Sequence, residues 1–249
     1  MHKIVALWCH PRSMSTSVER LMRERGDFHC LHEPFMYHYY INQKHRDMPY
    51  FKPQADHPVR YEDVRDMIMQ KALAAPVFFK DMGYYVDSEV INDKEFSESV
   101  THCFLIRNPL ATISSYYHLD KELTKTEVGL ESQWSLYTHL VDVGSKPVVI
   151  QAESLRKDVR AAAQDWWTAI GLASIDTAFE WNDKHPDDWN QVKTWHQSAI
   201  ASTSIRPWSE EDEQLEMQRF EQAANEAPHL RSYLEHHEIF YQRLKNVSL

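Results

Sequence analysis

The chain predicts an α/β fold, a largely parallel sheet flanked by helices in three layers, with a helical C-terminal part. Three observations carry that prediction. Short apolar runs alternate with amphipathic stretches of helical period along 249 residues, the pattern of repeated strand–helix–strand units. Polar residues stand at the ends of those runs, in Cys9–Arg12, Leu31–Glu33, Lys80-Asp81 and at Arg107, where open parallel sheets bind their ligands. With 43% apolar residues the chain can bury one sizeable core, so 1–249 reads as a single domain.

The first strand is predicted at Lys3–Cys9. It runs through Pro11-Arg12-Ser13-Met14-Ser15-Thr16-Ser17 into a helix over Met14–Arg25. Unpaired N–H groups in a first helical turn, with the positive end of the macrodipole behind them, favour a bound phosphate or sulfate. Arg12 adds a cation, and Ser13, Ser15, Thr16 and Ser17 add hydroxyl donors. An ATP-hydrolysing loop, GxxxxGK[ST], would need glycines and a lysine that this loop lacks.

A second strand, Phe28–Leu31, leads into His32-Glu33-Pro34, where Pro34 is expected to hold Glu33 extended and to stop a helix. Between Phe35 and Tyr61 seven aromatic residues accompany three prolines with little periodicity. This 34–61 segment reads either as a lid or acceptor wall, or as a packed satellite cluster. A helix over Tyr61–Ala74 and a strand at Val77–Asp81 follow. The strand His102–Arg107 breaks at Asn108-Pro109 and restarts as the helix Leu110–Leu119, with a proline near its first turn. Further helices are expected at Leu130–Val143, Lys157–Ile170 and Asp188–Ile200, and a strand at Pro147–Gln151. The tail from Ser209 reads as two helices parted near Pro228. Asp212 stands three residues after Ser209 as a capping box, and Leu230–Leu244 carries an apolar stripe.

Composition narrows the function classes. A net charge of −10 argues against a nucleic-acid surface, because a polyphosphate backbone would be repelled. No apolar run approaches the ~18 residues of a membrane span, and Met1-His2-Lys3 leads straight into the first strand without a secretory leader pattern. The reading is a cytoplasmic protein. Cys9, Cys30 and Cys103 are odd in number and form no CxxC, so they are expected as reduced, buried thiols. The 15 histidines show no ligand spacing, no metal site is expected, and His236-His237 are expected on a solvated helix surface. Nothing in the sequence indicates an oligomeric state.

Two motifs, Pro11-Arg12-Ser13-Met14-Ser15-Thr16 and Arg107 with Ser115 eight residues on, resemble the sulfotransferase family, whose sulfate donor is 3′-phosphoadenosine 5′-phosphosulfate (PAPS). The resemblance implies a P-loop-like fold without ATP hydrolysis. It assigns the 5′-phosphosulfate to Arg12, Ser13, Met14, Ser15, Thr16 and Ser17, the 3′-phosphate to Arg107 and Ser115, and no metal. Met14 stands where many relatives carry Gly and is expected to do without a positive φ. Ser17 replaces an adenine-stacking Trp of some cytosolic members, and Ser202–Trp208 is the nearest counterpart of a Gly-rich, basic loop. The acceptor would be a small molecule or carbohydrate offering a hydroxyl or amine. Glu33 is the candidate general base, as in some bacterial relatives, with His32 its competitor and a strand-end ion pair the alternative. Lys80 would contact the transferring group or pair with Asp81, and His196 would line the site or sit in the core or on the surface. Two other readings stay open: a non-catalytic 3′-phosphonucleotide-binding protein on the same fold, and a P-loop kinase or NTPase.

Overall fold

A computed structural model describes residues 1–182 and 184–249. In chain order the regular elements are β1 Ile4–Cys9, α1 Ser15–Glu24, β2 His29–His32, α2 Tyr61–Ala74, β3 Val77–Met82, α3 Asp87–Asn92, α4 Lys94–Ser99, β4 Val100–Ile106, α5 Pro109–Leu119, α6 Leu130–Asp142, β5 Val148–Gln151, α7 Ala152–Lys157, α8 Val159–Ala169, α9 Gln197–Ile200, α10 Glu210–Glu226 and α11 His229–Lys245. The five strands form one wholly parallel sheet in the order β2-β3-β1-β4-β5. β1 is central and every one of its residues is buried, so its continuous apolar run is what a strand covered on both faces requires. Between β3 and β4, which leave in opposite directions from it, the C-terminal end of β1 is the switch point of the sheet.

Helices pack α1 against β2 and β3, α2 against β3, and α8 and α11 against β5, while α10 lies on α5. Trp8, Trp166, Trp167 and Trp189 are fully buried, a large apolar contribution per side chain. Three of them also satisfy their indole N–H: Trp8 donates to His102 Nδ1 at 2.9 Å, Trp166 to Cys103 Sγ at 3.2 Å and Trp189 to Glu19 Oε1 at 2.9 Å. The C-terminal Leu249 N–H donates to Val149 O at 3.0 Å, clipping the chain end to β5. None of the described helices is long and apolar enough to cross a membrane.

Several expectations change in detail. The helix expected from Lys157 begins at Val159, because Asp158 (φ −150°) breaks it from α7 and caps the new start by accepting from Ala161 N–H at 3.0 Å. The expected helix Asp188–Ile200 is a 3₁₀ run, Asp187–His196, interrupted at Val192 (φ −134°), followed by α9. The short helices α3 and α4 were not legible; six residues each hold too few turns to establish a period. Cys9 and Cys103 are buried free thiols, whereas Cys30 is only partly buried. His237 is a correction. It is fully buried, donating from Nε2 to Lys125 O at 2.7 Å, while His236 beside it pairs with Glu131 at the surface.

Candidate active site

The loop after β1 solves the absence of glycine by strain. Arg12 (φ 63°) and Met14 (φ 70°) both adopt the left-handed conformation, with Ser13 between them outside it, and such alternation folds a backbone into an anion-binding nest. The expectation that Met14 would avoid positive φ is therefore wrong. A non-glycine residue in this region costs on the order of 1–2 kcal/mol, which the surrounding loop must offset. Beyond the nest, the N–H groups of Ser15 and Thr16 have no backbone acceptor among the described residues. These are the orphan donors that a first helical turn offers to an anion.

Arg12 does not extend freely into solvent. Its Nε donates to Ser115 Oγ at 2.9 Å and its Nη1 to Trp195 O at 2.5 Å. Burial, helped by the nearby Arg107 charge, lowers its pKa to about 10, so it stays cationic at neutral pH. Arg107, at the end of β4, donates from Nη1 to Arg12 O at 3.0 Å. The two anion subsites expected from the sequence are thus joined, and Ser115 serves Arg12 directly.

The N–H of Arg107 donates to His10 Nε2 at 3.0 Å. Burial, with His237 and Arg107 nearby, depresses the His10 pKa to about 3 and keeps it neutral, free to accept. Gly129 (φ 84°) lies so close that a Cβ there would fall 2.8 Å from the Cβ of His10. The Arg107 guanidinium also pairs with Glu216 of α10, whose carboxylate lies 3.8 Å from Arg156 of α7; Arg156 in turn holds Asp212 at 2.6 Å. Sequence reasoning missed Arg156 as a site residue, although it follows β5 at the same edge of the sheet as the other strand ends.

Arg12, Arg107, Arg156, Asp212 and Glu216 border one cavity of about 620 Å³, within the usual range for a small-molecule site. Arg12, Met14, Ser15, Thr16, Ser17 and Arg107 border one part of it, with Arg156 and Glu216 beside them. Tyr40, Met48, Tyr84, Tyr85, Tyr116 and Trp195 form an aromatic part. Burial raises the pKa of the Tyr84, Tyr85 and Tyr116 phenols, leaving them neutral. The 34–61 segment combines both expected roles: Phe35, Met36 and Tyr37 are buried in the core, and Tyr40 and Met48 reach the cavity.

The remaining candidates separate. Glu33 borders the cavity, but it has φ 44°, which corrects the expectation of an extended backbone: Pro34 disfavours the right-handed helical region, and here the chain turns through the left-handed one. Its carboxylate is ion-paired to Lys80. Lys80 is fully buried behind it and pairs with neither Asp81 nor the cavity. Burial alone would lower the Lys80 pKa, yet Glu33 and Glu19 raise it above its ordinary value. Asp81 instead accepts the N–H groups of Phe35 at 2.7 Å and Met82 at 3.0 Å.

His32 lies behind the cavity wall with both ring nitrogens engaged. Nδ1 meets Glu19 Oε2 at 2.6 Å and Nε2 meets His196 Nε2 at 2.9 Å. His196 borders the cavity, and its Nδ1 is 3.0 Å from Thr16 Oγ1. Glu19 is fully buried and also accepts from Arg23 at 2.7 Å and Trp189 at 2.9 Å. Burial would raise its pKa, but His32 and Arg23 outweigh that and hold it well below the carboxylate range. A glutamate between Val18 and Leu21 on the apolar face of α1 was the sequence signal for this network. His32, Glu33 and His196 also bring ligand-type atoms within 4.8 Å of one another. The ammonium of Lys80 and the bond between the imidazoles already satisfy that group internally.

A five-stranded parallel sheet with an anion nest after its central strand defines a P-loop-like α/β protein of the sulfotransferase type. The sequence model of the sulfotransferase domain matches residues 2–224, and the chain belongs to that family. Three solved structures share the fold: the sulfotransferase domain of the curacin biosynthetic pathway (10% identity, TM-score 0.50, 91% of this chain and 97% of that one), the sulfotransferase of Alicyclobacillus acidocaldarius (15%, 0.50, 81% and 94%), and the sulfotransferase domain of the Synechococcus PCC 7002 olefin synthase (16%, 0.52, 90% and 94%). By sequence the chain is also similar to branched-chain-amino-acid aminotransferase-like proteins 2 and 1 of Arabidopsis thaliana. Identity is 24% over 213 residues and 23% over 218 residues, covering 82% of this chain in each case. The chain spans only 36% of the length of those two relatives.

Proposed function

We propose that the protein transfers a sulfuryl group from PAPS to a hydroxyl or amine of a small-molecule or carbohydrate acceptor, in the cytoplasm and without a metal. The observation that carries this reading is the convergence, on one cavity, of the glycine-free anion nest at Arg12–Ser17 and the Arg107 guanidinium at the neighbouring strand end. A donor phosphorylated on both sides of its ribose needs two such subsites. The 5′-phosphosulfate occupies the nest, against the Ser15 and Thr16 N–H groups, the Ser15, Thr16 and Ser17 hydroxyls and the Arg12 charge; the 3′-phosphate reaches Arg107, with Ser115 acting through Arg12. Sulfuryl transfer moves an electrophilic group in line between two oxygens, so positioning and charge stabilisation dominate. Arg12 stabilises the charge that develops on the bridging oxygen as the S–O bond breaks. Glu33, fixed by Lys80, orients the acceptor hydroxyl, and the aromatic part of the cavity receives its carbon skeleton.

Thermal shifts with 3′,5′-ADP, PAPS, 5′-AMP and ATP–Mg²⁺ test the reading. Stabilisation by both 3′-phosphorylated nucleotides but by neither of the others is the expected result. Stabilisation by ATP–Mg²⁺ would instead point to a kinase or NTPase. Selective binding without acceptor-dependent release of 3′,5′-ADP would point to a binding protein.

A further inference from the structure

We infer that the acceptor proton leaves through His196 into a buried Glu19–His32 pair, with neither Glu33 nor His32 receiving it directly. The inference rests on the sulfotransferase reading above and adds the path of the proton. Its basis is a continuous chain of short contacts from the cavity wall inward: Thr16 Oγ1 to His196 Nδ1 at 3.0 Å, His196 Nε2 to His32 Nε2 at 2.9 Å, and His32 Nδ1 to Glu19 Oε2 at 2.6 Å.

The direction of each bond follows from the end of the chain. Glu19 is ionised and can only accept, so His32 Nδ1 carries a proton. With the His32 proton on Nδ1, its Nε2 lone pair accepts from His196 Nε2–H, which leaves His196 Nδ1 as an acceptor for the Thr16 hydroxyl. His196 is neutral, since burial and the charges of Lys80 and Arg12, with His32 beside it, hold its pKa well below the ordinary value. The lone pair nearest the cavity is therefore on His196 Nδ1, covered by a hydroxyl of the anion nest. When a phosphosulfate fills the nest, the Thr16 O–H turns to its oxygens and uncovers that lone pair.

The step balances. The acceptor oxygen forms its bond to sulfur as its O–H proton passes to His196 Nδ1. The bridging S–O bond breaks and its electron pair stays on the 5′-phosphate. The Nε2 proton of His196 moves to His32 Nε2, and the resulting imidazolium is neutralised by Glu19, the arrangement by which a buried carboxylate supports a histidine base. The charged groups facing this pair are Glu19 and Arg23 on α1, Glu33 after β2, Lys80 on β3, Arg12 in the loop, and Asp188, which pairs with Arg23. Glu33 has its Oε1 already engaged by the Lys80 ammonium.

Two measurements on the full chain test the inference. In protein labelled with ¹⁵N-histidine, His32 is expected to carry its proton on Nδ1 and His196 on Nε2 at neutral pH. A His196 protonated on Nδ1 would overturn the inference, because no lone pair would then face the nest. The second uses PAPS with phenol and with the more acidic 4-nitrophenol as probe acceptors. His196→Asn should lower turnover of phenol by about 10²–10⁴-fold and of 4-nitrophenol by under about tenfold, with 3′,5′-ADP binding retained. Glu19→Gln keeps an acceptor for His32 but removes the charge, so the acid limb of kcat/KM should move down by about one pH unit or more. Phenol turnover in His196→Asn within about threefold of the parent would refute the relay. So would an acid limb that disappears in Glu33→Gln and stays in Glu19→Gln. If the tautomers match but neither phenol is turned over, the relay has no reaction to serve and the inference falls; absent 3′,5′-ADP binding would show separately that the family reading of the nucleotide site had failed.

Discussion

Replacing Glu216 by Gln should tighten binding of 3′,5′-ADP while leaving 5′-AMP almost unchanged. Glu216 occupies the Arg107 guanidinium and lies 3.8 Å from Arg156, with about one fifth of its side chain exposed. A 3′-phosphate arriving at Arg107 therefore meets a carboxylate already there. Two unit charges 4 Å apart interact by about 4 kcal/mol at an effective dielectric constant of 20, and partial exposure with a mobile side chain reduces such a value severalfold. Relief of about 1–2 kcal/mol remains, or about 5–30-fold in affinity. Gln keeps the volume and removes the charge, while Arg107 keeps its bond to Arg12 O and Arg156 its pair with Asp212. Titration calorimetry with the two nucleotides at fixed ionic strength reads the difference. Equal tightening of both, or weaker binding of 3′,5′-ADP, would show that Glu216 does not compete with a 3′-phosphate.

Arg107→Ala should weaken 3′,5′-ADP by about 2–4 kcal/mol, the value of a lost charge-assisted contact, with 5′-AMP little changed in the same calorimetric assay. Arg12→Ala should reduce turnover more than 3′,5′-ADP affinity, because 3′,5′-ADP lacks the sulfate whose departure Arg12 stabilises; equal losses in kinetics and binding would reduce it to a binding group. Met14→Gly should raise Tm or leave it unchanged and Met14→Val should lower it, since only glycine occupies φ 70° without strain; calorimetric melting decides. Acidification from pH 7 to 4.5 should lower Tm. Buried His10, His102 and His237 have pKa values near 3, 4 and 4, below the ~6.5 of unfolded histidine. The unfolded chain thus binds more protons in this window, and stability present above pH ~6.5 is lost as pH falls. A flat or rising Tm would contradict that sign.

The strands and the long helices were legible because their apolar patterns have clear periods. Each of the five predicted strands overlaps an observed one, and Leu110–Leu119 differs from α5 only by Pro109 at its start. Backbone conformation was less legible. Residue type argued against positive φ at Met14 and for an extended Glu33, while the closure of the loops around the cavity imposed the left-handed region on both. Partner choice was least legible of all. Lys80 stands next to Asp81 in sequence, but alternation along β3 separates the two side chains, and the parallel pairing of His32 with Lys80 brings the β2 end, and with it Glu33, to the lysine. The Glu19–His32–His196 chain joins residues 13 and 164 positions apart, and no local pattern encodes such a distance.

The contact between Gly129 and His10 ties a residue without a side chain to the strand end that carries Arg107. His10 fixes the N–H of Arg107, and Gly129 leaves no room for His10 to retreat. Glycine is required at 129 on two separate grounds, its φ of 84° and the 2.8 Å approach, so shaving His10 alone would not make a side chain acceptable there. Substitutions at 129 would accordingly press on the histidine that accepts the Arg107 N–H. A survey of variants that scored only ionic or hydroxyl side chains would pass over the position that packs against the histidine accepting the Arg107 N–H.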